Sequence, residues 1–210
     1  MNRIDKAIFE FAYRMALDDA TAQQAYKGRG KGSKLRLREC GSAKQSVKKY
    51  IEAIFDPAGE PDFEKAITDV EKAFDTFLTK DGDGVFTFGN AQKLINMTAK
   101  YMFMATYEKP ELRVHFDACH CPMDNIIVDK VIDLVSKNMP TEGRLAKELN
   151  EKHECRDKKR SKWSVYLKQP WSGITEDSRQ QYDLYQELVR YLCSLEDLNL
   201  SPIEFDFIEW

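Results

Sequence analysis

At least six segments of the chain carry apolar residues at three- and four-residue steps, the spacing that buries one face of a helix. These segments lie near residues 3–25, 42–55, 63–78, 88–105, 124–135 and 175–192. Runs that alternate apolar and polar residues, as half-buried strands do, are scarce. The pattern predicts an all-α fold of about six to eight helices in a single globular domain over residues 1–210, with little or no β-sheet.

The same pattern predicts helix starts and a set of core residues. Residues 42–45 and 201–204 each match a capping box, and Pro202 occupies the first-turn position that proline favours. Pro122 and Asp124 mark the start of a further helix. The first helix should bury Ile4, Ala7, Ile8, Phe11 and Met15. Across the chain we expect buried side chains at Phe11, Ile51, Phe74, Leu94, Tyr101, Val131, Leu188 and Leu192.

Composition narrows the class of protein. With 42% hydrophobic and 11% aromatic residues, the 210-residue chain can bury a core unaided, and a formal net charge of -3 predicts no particular partner. No window approaches the roughly 18 to 20 uninterrupted apolar residues of a membrane span, and Asp5, Glu10 and Arg14 interrupt the N-terminal helix, unlike a secretory signal. Five irregularly spaced cysteines favour reduced thiols. We expect a soluble, cytoplasmic protein without a membrane partner.

Residues 27–49, here called the basic segment, concentrate positive charge. They contain nine basic side chains and the single acid Glu39, and glycines interrupt their first part, so we expect a loop at about 27–41. Lysine and arginine can follow a phosphate backbone, and glycine permits close approach. A second charged, exposed segment is expected at about 141–162. The predicted nucleic-acid-binding residues are Lys27, Arg29, Lys31, Lys34, Arg36 and Arg38.

Histidines and cysteines cluster between residues 115 and 155. His115, Cys119, His120, Cys121, His153 and Cys155 offer the nitrogen and sulfur ligands that zinc prefers. The usual CxxC spacing is missing, however, and we predict no metal and no cofactor. The DGDG turn is not an EF-hand either, because counting from Asp81 puts Phe86 sixth and Gln92 twelfth, where that loop needs glycine and glutamate.

One spacing within this cluster suggests catalysis. Arg113 precedes His120 by seven positions, just before a helix, and this spacing resembles the arginine–histidine motif of HEPN-type ribonucleases, although only residues 113–120 resemble it. The resemblance implies that His120 moves a proton at the RNA 2′-hydroxyl and that Arg113 stabilises phosphate charge, without a metal. A cysteine nucleophile, Cys119 or Cys121, activated by a neighbouring histidine that Asp124 orients, is a further option.

Three functions follow from these features. The preferred one is contact with nucleic acid, or another polyanion, through the basic segment. The first alternative is a metal-independent ribonuclease whose catalytic residues are Arg113, His120 and Asp124. The second is a protein-interaction factor without chemistry, in which the charged segments meet a protein partner.

Overall fold

Helices account for most of the structure, a computed structural model that describes residues 3–22, 26, 36–79, 84–109, 115–138, 162–195 and 200–209. The α-helices in this part of the chain are α1 (Arg3–Ala20), α2 (Gly41–Phe55), α3 (Phe63–Thr79), α4 (Phe88–Ala105), α5 (Asn125–Asn138), α6 (Lys162–Leu167), α7 (Gln180–Cys193) and α8 (Pro202–Glu209). Short 3-10 turns lie at Phe116–Ala118, Trp171–Gly173 and Glu176–Ser178. No strand occurs among the described residues, and the predicted all-α, single-domain fold is confirmed.

Helix α4 is the centre of the fold. Every residue from Phe88 to Lys100 is buried, and α1 packs along α4 more extensively than any other pair of helices pack. Helices α2 and α3 pack against each other and against α4, while α5, α6 and α8 pack on α7. A helix that is buried all round must satisfy its polar side chains within the protein. That requirement shapes the candidate site.

The predicted face of α1 is wrong. Phe11 is 63% exposed and Met15 is 38% exposed, whereas the buried face carries Phe9, Ala12, Tyr13, Ala16, Leu17 and Ala20. These residues also follow helical spacing, and three of them are alanines, whose small side chains suit the extensive contact between α1 and α4. The helix also ends at Ala20, before the predicted residue 25.

The remaining core predictions hold except for Tyr101. The side chains of Ile51, Phe74, Leu94, Val131, Leu188 and Leu192 are fully buried. Tyr101 is only partly buried, because its hydroxyl reaches out to donate a hydrogen bond to Asp19 Oδ2 at 2.6 Å. Tyrosine commonly buries its ring and keeps its hydroxyl near polar partners in this way.

The helix starts were predicted with mixed success. At α8, Ser201 and Glu204 form the predicted capping box, with the Ser201 backbone N–H donating to Glu204 Oε2 at 2.9 Å. The box predicted at residues 42–45 is wrong, since α2 begins at Gly41 after Cys40, which makes no side-chain cap. Asp124 does cap α5, accepting a hydrogen bond from Ile127 N at 3.0 Å, but Pro122 lies before the helix. The unpredicted capping box of α4 joins Thr87 and Asn90.

Helix α8 is fixed to the core by an ion pair. Lys100 Nζ of α4 lies 2.7 Å from Asp206 Oδ2 of α8, and the two side chains are 5% and 0% exposed. Ile203 and Phe205 of α8 are fully buried beside them. Neither carboxylate oxygen of Asp206 has a well-directed hydrogen bond among the described residues, so Asp206 depends on the charge of Lys100.

Candidate functional site

Two glutamine amides hold the segment that contains His120. Gln92 of α4 donates to Met123 O and accepts from Met123 N, both at 3.3 Å. Gln186 of α7 donates to Cys121 O at 2.7 Å and accepts from Cys121 N at 3.1 Å. Each amide therefore replaces the backbone partner that a neighbouring strand would supply. This satisfies a buried, irregular backbone and fixes where His120 projects.

A chain of hydrogen bonds then orients the His120 ring. Because Gln92 is oriented by the Met123 backbone, its Oε1 accepts from Asn96 Nδ2 at 3.2 Å, and Asn96 Nδ2 also donates to Tyr182 OH at 2.8 Å. Among the described residues, the other hydrogen-bond neighbour of the Tyr182 hydroxyl is His120 Nδ1, at 2.8 Å. Tyr182 therefore donates to Nδ1, and the neutral His120 ring carries its proton on Nε2.

The surroundings keep His120 neutral. The ring packs on Phe63, with ring centroids 4.2 Å apart, and remains partly exposed. Burial, and then the positive charges of Arg190 and Arg179, lower the pKa of His120 from 6.5 to about 3. Protonation would also force Nδ1 to become a donor and displace the Tyr182 hydrogen bond. At neutral pH His120 is thus a fixed, uncharged N–H donor and a weak base.

Asp124 is bonded to a different set of residues. Its carboxylate caps α5 and lies 2.7 Å from Lys93 Nζ, with the two side chains 13% and 6% exposed. Lys93 also lies over the Trp171 ring, 5.5 Å from its centroid. These contacts give Asp124 a structural role at the start of α5. The hydrogen-bond partner of His120 is Tyr182, and Arg113 lies outside the described residues.

The cysteines of this segment are held as thiols. Tyr185 donates its hydroxyl hydrogen to Pro122 O at 2.9 Å, and the Cys121 sulfur lies 3.0 Å from the Tyr185 hydroxyl oxygen. Burial raises the pKa of Cys121, and burial raises the pKa of Cys119 to about 12. A nucleophilic cysteine needs the opposite shift. Neither thiol has the lowered pKa that the nucleophile hypothesis requires.

Three of the candidate zinc ligands are each hydrogen bonded to a different tyrosine. Cys119 is hydrogen bonded to Tyr50, His120 to Tyr182 and Cys121 to Tyr185. Within the described residues, no group of three or more His, Cys, Asp or Glu side chains is placed to hold a metal ion. His153 and Cys155 lie outside these residues.

The basic segment is described from Arg36 onward. Leu37 and Cys40 are buried, the Arg36 guanidinium lies over the Phe77 ring of α3, and Arg38 donates to both carboxylate oxygens of Asp18 of α1 at 2.7 Å. Residues 36 and 37 form a helical turn, and α2 begins at Gly41, so the predicted loop ends sooner than expected. The predicted residues Lys27, Arg29, Lys31 and Lys34 lie outside the described part of the chain.

Sequence reasoning missed the residues that build the site around His120. Gln92 and Asn96 lie four residues apart on the buried helix α4, and Gln186 follows Tyr182 by the same step. Polar residues at helical spacing within a buried face must bond one another or another element. This spacing was the signal that the sequence offered, although it does not show which residues the polar side chains contact.

Comparisons with protein-family models, with curated proteins and with solved structures returned no match. The described helices include none that is both long and apolar enough to cross a membrane. The residues of this chain therefore carry every inference about function.

Proposed function

We propose that this protein contacts nucleic acid, or another polyanion, through the basic segment. The observation that carries the proposal is the segregation of charge, with nine basic residues and one acid in residues 27–49 of a chain whose net charge is -3. Such a local field attracts phosphates even though the whole protein is slightly acidic. Neutralising phosphates releases counterions, which makes the expected affinity independent of base sequence and sensitive to salt.

The anchoring of the segment supports this proposal. Leu37 and Cys40 are buried and fix the middle of the segment to the core. A cationic segment that is anchored in this way can present charge at a defined surface, and less ordering entropy is then lost when a partner binds.

Three of the described basic side chains of the segment form exposed ion pairs. Arg38 pairs with Asp18, Lys44 with Glu10 and Lys48 with Glu52, and all of these side chains are at least 28% exposed. Exposed ion pairs are typically worth about 0–1 kcal/mol, so phosphate can replace the carboxylate at little cost. We assign the leading phosphate contacts to Lys27, Arg29, Lys31, Lys34, Arg36 and Arg38.

A quadruple variant tests the proposal. Replacing Arg29, Lys31, Lys34 and Arg36 with alanine should weaken binding to unrelated DNA and RNA sequences about equally. It should also flatten the dependence of log affinity on log salt by roughly 0.7 to 0.9 for each lost phosphate contact. Fluorescence anisotropy with labelled oligonucleotides over a range of salt concentrations measures both quantities.

The matched control variant removes four positive charges outside the basic segment. Lys6, Lys65, Lys72 and Lys137 are exposed lysines outside the segment. Their fourfold replacement by alanine should leave the salt slope close to that of the wild type. The proposal fails if the wild type shows no affinity at low salt, or if both quadruple variants lose the same slope. The first result would favour a protein partner for the segment.

A nuclease assay separates binding from catalysis at His120. We expect bound RNA to remain intact at neutral pH, because a histidine with a pKa of about 3 and its proton on Nε2 is a weak base there. Gel analysis of end-labelled RNA incubated with wild type and with His120→Ala measures this. Cleavage by the wild type that disappears in a folded His120→Ala variant would contradict the expectation and support the ribonuclease alternative.

A further inference from the structure

An open cavity lies between α2, α3 and the connection that joins these two helices. Its volume is about 170 Å³, and its lining includes Tyr50 and Ala53 of α2 and Ala66 of α3. Tyr50 and Ala66 are buried, and Tyr50 is hydrogen bonded to Cys119, so this part of the lining is a fixed apolar floor. An apolar cavity of roughly 150 Å³ can hold a molecule the size of benzene. The cavity therefore has room for a small organic ligand.

Side chains of both charges surround this floor. Lys49 of α2 lines the cavity, as do Glu60 and Asp62 of the connection between α2 and α3. Lys65 and Asp69 of α3 also line it, and they pair with each other at 3.5 Å. The described residues Lys49, Glu60 and Asp62, in contrast, form no ion pair with one another. A ligand can therefore lie between the lysine and the two carboxylates.

The connection that carries the two carboxylates is packed closely on α2. The Gly59 N–H donates to Asp56 O at 2.7 Å, and a Cβ on Gly59 would stand 2.3 Å from Ala53 O. At the start of α3, Asp62 Oδ1 accepts a hydrogen bond from Lys65 N at 2.9 Å. These contacts fix the backbone of the connection relative to both helices. The cavity is thus formed without a ligand, which lowers the entropy cost of binding.

We infer that this cavity binds a free α-amino acid with a small apolar side chain. Such a ligand carries a carboxylate, which Lys49 can bind, and an ammonium group, which Glu60 and Asp62 can bind. Its side chain would lie on the apolar floor, where it is removed from water. A ligand with a single charge would leave one side of the cavity without a partner. This site goes beyond the proposed contact with nucleic acid, although Lys49 is the last residue of the basic segment.

Nuclear magnetic resonance of the ¹⁵N-labelled protein, titrated with leucine, tests the inference. Leucine should shift the amide resonances of α2 and α3 around the cavity saturably, with a dissociation constant on the order of 1 mM or below. Leucinamide lacks the carboxylate and N-acetylleucine lacks the ammonium group, so each should bind about tenfold more weakly or worse. Glycine should also bind more weakly, because it has no side chain to bury.

Variants of the charged side chains should reproduce these losses. Lys49→Ala and the double variant Glu60→Gln/Asp62→Asn should each weaken leucine binding by about tenfold or more, since each removes the charge that binds one end of the ligand. The matched control is Lys48→Ala, which should leave the affinity unchanged. Lys48 belongs to the same helix and to the basic segment, but it pairs with Glu52 at 3.2 Å and does not line the cavity.

A variant that fills the cavity locates the ligand. Ala53 is only half-buried, so Ala53→Leu should abolish the leucine response while the circular dichroism spectrum stays that of the wild type. A response that persists in folded Ala53→Leu would contradict the site.

Two other results would also overturn the inference. One is the absence of saturation by leucine at up to about 20 mM, and the other is an equal leucine affinity in the wild type and Lys49→Ala. The double carboxylate variant should not weaken binding to nucleic acid, because it removes only negative charge. Failure of this site is therefore distinguishable from failure of the proposed function.

Discussion

Removing either partner of the buried Lys100–Asp206 pair should destabilise the protein by about 3–5 kcal/mol, because the other partner then stays in the core without the ion pair that stabilises its charge in the wild type. The two side chains are 5% and 0% exposed, and Lys100 Nζ lies 2.7 Å from Asp206 Oδ2. We expect this loss for Lys100→Met and for Asp206→Asn. Urea denaturation at pH 7, followed by circular dichroism, measures the free energy of unfolding.

The double variant distinguishes a charge effect from lost packing. Lys100→Met/Asp206→Asn removes both charges, so it should be less destabilised than the sum of the single variants by at least about 2 kcal/mol. The control is Lys137→Met, whose partner Asp133 also lies 2.7 Å away but on the exposed face of α5. That variant should cost about 0.5 kcal/mol or less. Additive single effects would contradict the assignment.

The loss of stability caused by Lys100→Met should depend on pH in a definite direction. Burial raises the pKa of Asp206 from 3.8 to about 6, and Lys100 opposes the rise. A carboxyl whose pKa is raised by folding contributes its full stabilisation at pH values below its pKa in the unfolded state. This contribution is lost as the pH rises through its pKa in the folded state. Without Lys100 the pKa of Asp206 rises further. The penalty of Lys100→Met should therefore shrink as the pH is lowered from 8 toward 6.

Much of the fold could be predicted from sequence because, in most of the helices, the apolar residues fall on a single face. It located the buried faces of α3, α5 and α7, and the Ser201 capping box located the start of α8. In α1 the spacing admitted two faces, and the chain buries the one rich in alanine while leaving Phe11 exposed. Which face is buried depends on the partner helix, and a local pattern does not contain that information.

The candidate site was less predictable, since its contacts join residues far apart in sequence. His120 was identified as a candidate, but its partner Tyr182 is 62 positions away, and Gln186 is 65 positions from Cys121. The local composition suggested proton transfer at His120. The folded chain sets the tautomer and lowers the pKa of this residue through α4 and α7. These effects come from residues far away in sequence, so the local sequence does not show them.

Gly89→Ala should also destabilise the protein strongly, although alanine is normally the better residue in a helix by about 1 kcal/mol. Gly89 lies in the first turn of α4, where its N–H donates to Ile174 O at 3.0 Å. A Cβ at this position would stand 1.9 Å from the Trp171 carbonyl oxygen, which is backbone and cannot rotate away. The start of α4, or the turn at Trp171–Gly173, would have to move.

We expect Gly89→Ala to cost about 3 kcal/mol, as overpacking against a fixed backbone does. At this chain length the midpoint of thermal unfolding should fall by about 6–12 °C. Gly41→Ala is the matched control, since Gly41 is also a first-turn glycine, of α2, but a Cβ there meets nothing within 4 Å. Differential scanning calorimetry should show an unchanged or slightly higher midpoint for Gly41→Ala. If the two variants shift the midpoint equally, helix propensity governs both sites, and the close approach of α4 to the Trp171 turn does not affect the stability of the protein.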